Sequence, residues 1–126
     1  EALRSARRCY NHLAGTAGVQ VYESMVRRGY LTVDAADLSL STAGHVFAEN
    51  LGIDVVRLSK GRAPLCRECL DWRERKTHLA GSLGRALLDY MIADGWVKQD
   101  ATSRAVSFTA RGRTLFNDIF PVLDAV

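Results

Sequence analysis

His12-Leu13-Ala14-Gly15-Thr16-Ala17-Gly18 and His78-Leu79-Ala80-Gly81-Ser82-Leu83-Gly84 are two versions of one heptapeptide, set 66 positions apart. The likeness continues downstream. Val26-Arg27-Arg28-Gly29-Tyr30-Leu31 keeps that offset with Ile92-Ala93-Asp94-Gly95-Trp96-Val97. Leu38-Ser39-Leu40-Ser41-Thr42-Ala43-Gly44 then matches Val106-Ser107-Phe108-Thr109-Ala110-Arg111-Gly112 at an offset of 68, so the second copy has a turn two residues longer. An internal repeat constrains a fold before local propensity does. The implied fold class is α+β, mostly helical: tandem winged-helix-like units, each a helix, a two-stranded wing and a second helix, sharing one core. Residues 1–58 form the first unit, 59–77 a cysteine-bearing basic connector, and 78–126 the second unit.

Local patterns fill in the units. Leu3, Ala6 and Tyr10 have helical spacing among Arg4, Arg7 and Arg8, which predicts a helix over 1–11 leading into the first motif. The helical pattern runs on from His12 to Arg27, with Ala14, Gly15 and Gly18 on one face. Glycine costs a helix interior up to ~1 kcal/mol against alanine. These glycines therefore mark either a close backbone approach or a turn that breaks the helix. Gly29 fits a left-handed cap. Tyr30 to Val33 and Leu38 to Leu40 read as wing strands around a turn at Asp34 to Asp37, and Ser41 or Thr42 caps the following helix. Gly52 stops that helix, and Asp54 can start a short turn of helix. Charge-dense Cys66 to Lys76 reads as helical, with Asp71 and Arg75 able to pair at i, i+4. In the second unit the helix spans His78 to Ala93, the wing Trp96 to Lys98 and Ala105 to Phe108, and Thr109 caps the last helix. Pro121 does not belong deep in that helix, and Val122 to Val126 reads as an apolar tail that covers a neighbour.

The pairing of Arg8-Cys9-Tyr10-x-His12-Leu13-Ala14-Gly15 with Cys66-x-x-Cys69-Leu70-Asp71-Trp72-x-Glu74-Arg75-x-x-His78-Leu79-Ala80-Gly81 carries a resemblance. It is similar to the region that follows the DNA-binding domain in long members of the ArsR-like winged helix-turn-helix bacterial repressors. The resemblance implies a regulatory and dimerisation region of a transcriptional repressor. Such a region works in a cytoplasmic homodimer and passes effector or metal binding to an amino-terminal winged helix that contacts DNA. That reader domain has no counterpart in this sequence, and the chain begins at Glu1, as a piece of a longer protein would. The ligand residues of the short metal-sensing members have no matching motif here.

A net charge of +3 permits an anionic partner without arguing for one. No apolar run approaches the ~18 residues of a membrane helix. Three cysteines, two of them as Cys66-x-x-Cys69, do not make a secreted disulfide framework and fit a reducing cytoplasm. Cys9, His12, Cys66, Cys69 and His78 are the candidate metal ligands, with zinc the candidate ion, because a two-residue gap between cysteines is zinc spacing. The competing readings are a thiol switch through Cys66 and Cys69, favoured by Arg67 and Arg73, and buried structural cysteines with hydrogen-bonded histidines. On a gap-free alignment of the repeats Cys9 faces Arg75, so the cysteines fall outside the repeat. Tyr30, Trp72 and Trp96 are candidates for an effector pocket, or else core. Direct DNA binding is the remaining alternative. Arg27, Arg28, Lys98 and Arg104 could contact the phosphate backbone, but Asp89 and Asp94 on the second helix oppose it. No phosphate loop, nucleophile elbow or zinc-protease motif occurs, so the chain does not read as an enzyme.

Overall fold

Each heptapeptide turns out to be the junction between a strand and a helix. The computed structural model describes residues 5–35, 37–72 and 74–123. Strand β1 (Arg7–Cys9) pairs antiparallel with β2 (His12–Ala14), which runs straight into α1 (Gly15–Arg27). The wing β3 (Leu31–Asp34) and β4 (Asp37–Leu40) follows, then α2 (Thr42–Asn50) and the short α3 (Val55–Ser59). The order then recurs. Strands β5 (Arg67–Asp71) and β6 (Lys76–Ala80) lead into α4 (Gly81–Ala93), followed by β7 (Val97–Gln99), β8 (Val106–Phe108) and α5 (Ala110–Ile119). Among the described residues the result is mixed helix with four two-stranded antiparallel sheets.

Two expected helices are therefore hairpins. Residues 1–4 of the first lie outside the described residues; the rest holds β1 and the turn Tyr10-Asn11 before β2. Arg7 at the outer end of β1 bridges Ala105, the Arg8 amide donates to the Arg104 carbonyl at 2.8 Å, and the Val106 amide donates to the Ala6 carbonyl at 3.1 Å. These bonds from the far wing outweigh the helical spacing of Leu3, Ala6 and Tyr10. Cys66 to Lys76 likewise holds strand β5 and the turn into β6, with Asp71 opposite Lys76 and Arg75 in the turn at φ 55° rather than on a helix with Asp71.

Both readings of the motif glycines hold, at different positions. Gly15 and Gly81 have φ of 76° and 82°, the left-handed backbone that swings the chain from strand to helix. Gly18 and Gly84 are the close approaches. A Cβ on Gly18 would strike the Leu13 carbonyl, and one on Gly84 would sit 2.6 Å from the Leu79 carbonyl oxygen. The helix thus folds back hard against its own strand. The remaining caps fit their chemistry: Gly29 has φ 74°, and the Ser41, Asp54 and Thr109 side chains accept from the amides three residues on.

The two halves interlock. Helix α1 packs on β6, α4 packs on β2, and β2 meets β6. Beneath them one interior collects Met25, Leu83, Leu88, Met91, Trp96 and Phe116, all buried. Tyr30 stacks on Phe47 at 4.4 Å, and Phe120 meets both Phe47 and Phe116 edgewise or tilted. Pro121 follows α5; Val122 beyond it is exposed, and residues 124–126 of the apolar tail lie outside the described residues.

Candidate metal centre at the crossing of two hairpins

The crossing of β2 and β6 brings four soft donors together. Cys9 stands opposite His12 in the first hairpin, and Cys69 opposite His78 in the second. Directly opposed residues of an antiparallel pair project from the same face, so each hairpin presents one thiol and one imidazole. One donor atom from each of the four residues lies within 4.8 Å of the others. His12 and His78 are 5 % and 1 % exposed, and their Nε2 atoms are 2.9 Å apart.

The outer ring nitrogens have partners of their own. His12 Nδ1 faces Asn11 Oδ1 at 3.3 Å, and His78 Nδ1 faces Asp71 Oδ2 at 3.5 Å. The second distance is long for a hydrogen bond and acts chiefly as an electrostatic contact. Both oxygens favour a proton on Nδ1, which turns the two Nε2 lone pairs toward each other. A neutral pair relieves that only by moving one proton inward and giving up an outer contact. A cation between them lets both rings keep Nδ1–H outward and direct Nε2 inward, the outer-shell arrangement usual for metal-bound histidine. Zn–N of ~2.1 Å and Zn–S of ~2.3 Å in a tetrahedron put donors roughly 3.3–3.8 Å apart. The observed cluster reaches that with sub-ångström to ångström adjustments.

Protonation fits the same chemistry. Burial, reinforced by the facing His78, lowers the His12 pKa to about 4. Burial also lowers that of His78, opposed by Asp71 and aided by Arg7. Both rings are thus neutral near pH 7, the form that ligates. Burial, then the adjacent Cys9 and Asp71, raises the Cys69 thiol, with Arg67 opposing, so coordination would have to displace a proton.

Asp71 braces the site. It is 1 % exposed, yet its carboxyl is held below the usual range. Burial pushes the other way but is outweighed by the amides of Glu74 and Gly15, at 3.0 and 2.8 Å, and by Arg7, at 2.6 Å. The Gly15 bond places this carboxylate over the start of α1, where the helix dipole favours negative charge.

Cys66 does not join the cluster. It lies in a bend just before β5 and is not among the residues whose donor atoms converge. Burial pushes its thiol up to about 11, which argues against a reactive thiolate there. Sequence reasoning also misplaced Cys9. The register matches Arg7-Arg8-Cys9 with Arg67-Glu68-Cys69, since Arg7 opposes Ala14 as Arg67 opposes Ala80. The cysteines therefore sit at corresponding places, and the second hairpin has a longer turn. A gapped comparison of Arg-x-Cys before each His-Leu-Ala-Gly would have found this.

The aromatic candidates occupy three different environments: Trp96 is buried at 1 % exposure, Trp72 is 80 % exposed, and Tyr30 lies on Phe47. The basic candidates are exposed, but Arg28 donates to the Ile119 carbonyl at 2.9 Å and lies over the Tyr30 ring. Among the described residues, no helix is long and apolar enough to cross a membrane.

This arrangement belongs to a chain with a recognisable relative. Over 114 residues, 90 % of its length, it is 39 % identical to a Bacillus subtilis (strain 168) protein named as an uncharacterized HTH-type transcriptional regulator, YdfF. The chain spans about half the length of that curated relative, 50 %. No protein-family profile and no solved structure matches it.

Proposed function

We propose that this chain is the regulatory and dimerisation region of a bacterial HTH-type transcriptional regulator, of the ArsR-like kind, built from two copies of one hairpin–helix–wing–helix unit. In this reading Cys9, His12, Cys69 and His78 hold one zinc-class ion that clamps the copies together. Gain or loss of the ion alters how the region holds a DNA-binding winged helix and a second subunit, in the cytoplasm. The relative's name supports the regulator role. The observation that carries the metal reading is the convergence of two thiols and two neutral imidazoles from both halves on one point. Two thiolates and two imidazoles suit a tetrahedral zinc site closed to other ligands, whose role is structural or regulatory. Coupling then follows from mechanics: an ion binding only the closed crossing shifts the population toward it.

Elemental analysis of untagged protein tests this. The expected result is about one zinc per chain, lost in Cys9→Ser and Cys69→Ser and retained in Cys66→Ser. Protein that stays metal-free after zinc is supplied, with an unchanged melting temperature under chelation, overturns it. Light scattering tests the dimer separately.

A further inference from the structure

The sequence offers Cys66-x-x-Cys69 as a thiol pair, and the fold breaks that pair up. Cys66 stands in the bend before β5 and packs against the core. Cys69, on β5, meets instead the thiol of Cys9 on β1, from the other half of the chain, with the two sulfurs within 4.8 Å. The four converging groups are also layered. His12 and His78 are buried, whereas Cys9 and Cys69 are half-buried. Each thiol lines a cavity: Cys9 one of about 200 Å³ beside Trp72, and Cys69 one of about 370 Å³ beside Tyr10. Trp72 and Tyr10 are 80 % and 88 % exposed, so both cavities reach the surface. A small uncharged solute can enter either one.

We propose that Cys9 and Cys69 are a redox-active pair, oxidised by hydrogen peroxide to a disulfide that joins the two hairpins. One thiolate attacks a peroxide oxygen: an S–O bond forms, the O–O bond breaks, and the departing hydroxide takes up the thiol's proton and leaves as water. The second thiolate attacks the sulfenic sulfur: the S–S bond forms, the S–O bond breaks, and a second water leaves with the second proton. Two thiols lose two electrons and two protons, and one peroxide becomes two waters. The new bond ties β1 to β5 across the crossing and constrains the unfolded chain. Thiolate is the form of cysteine that ligates metal, so the disulfide and a zinc-class ion exclude each other. That exclusion rests on the metal reading; the pairing of the two thiols does not.

Peroxide titration of the full 126-residue chain, metal-free and zinc-supplied, followed by non-reducing peptide mapping, tests it. Trypsin cuts after Arg8, Arg62 and Arg67, so the three cysteines fall on separate peptides. The metal-free chain should lose two hydrogens and yield peptides joined through Cys9 and Cys69, separated again by dithiothreitol. Its melting temperature should rise on oxidation. Cys66→Ser should behave alike, and the same oxidation in urea should scatter the bond over all three cysteines. In the zinc-supplied chain one zinc should leave for each bond formed. Bonds through Cys66 as abundant as Cys9–Cys69, the same distribution in urea, or sulfinic acid without a bond overturns the inference. A chain that takes up no zinc yet forms the Cys9–Cys69 bond removes the metal reading and upholds the pairing. A bond formed with zinc retained overturns the exclusion.

Discussion

Replacing Asp71 by alanine should destabilise the protein far more than replacing Arg67, the exposed counterpart of its partner Arg7. Asp71 is 1 % exposed and accepts from two backbone amides and from Arg7, whose side chain is itself only 11 % exposed. Removing the carboxylate takes the Asp71 charge away from a mostly buried guanidinium and an acceptor away from two amides. Breaking a buried ion pair from one side costs about 3–5 kcal/mol; the lost amide bonds belong to the same event and are not added again. An unfolding entropy of about 2.1 cal/mol/K per residue turns a 4 kcal/mol loss into a fall of roughly 15 °C in melting temperature for a chain of this size. Arg67→Ala, at the position that matches Arg7 in the repeat, should cost under ~0.5 kcal/mol, as exposed substitutions do. Urea unfolding of both variants in chelator, with the slope checked for constancy, gives the comparison. Near-equal costs, or a loss below about 1 kcal/mol for Asp71→Ala, would refute the account of Asp71 as the brace of the first junction.

Other perturbations test other parts. Gly18→Ala and Gly84→Ala should each destabilise by ~1–3 kcal/mol, although alanine is the better helix former, because the new methyl meets a strand carbonyl; a gain in denaturation midpoint would show that the strand and helix are not in that contact. In metal-free protein, stability should decline as pH falls below about 6.5. The unfolded chain protonates His12 near pH 6.5 while the folded chain resists to about pH 4. The decline should reach ~2 kcal/mol by pH 5, measured by chemical denaturation and flattened in His12→Asn. His78, whose pKa is also lowered, adds with the same sign. Cys66→Ser should leave zinc content unchanged, and should leave the alkylation rate near neutral pH little changed because that thiol is already raised to about 11; loss of metal on this change would put Cys66 back among the ligands.

The wings and caps could be read from the sequence because their determinants are local. Ser41 and Thr109 bond amides three residues away, and Gly29 supplies its own positive φ. The two hairpins before the helices could not be read, because what holds them comes from far along the chain. Strand β1 has three residues, and its outer edge is bonded to Arg104, while α4 packs on β2 from the other half. Tyr10 takes φ 60° without being glycine or asparagine, so the turn carried no usual mark. Four of the five proposed ligands do meet, but through the registers Cys9 to His12 and Cys69 to His78, not through helical spacing. The Cys-x-x-Cys pattern drew attention to Cys66, which stands just before β5 and outside the group of four donors.

The exchange of supports, with α1 resting on β6 and α4 on β2, has a consequence for how the molecule could be dismantled. Severing the chain between α3 and β5 breaks a tether and none of those contacts. Two separately expressed pieces, ending and starting in that loop, should find each other and reassemble, while either piece alone is left with half a shelf for its helix and no native state.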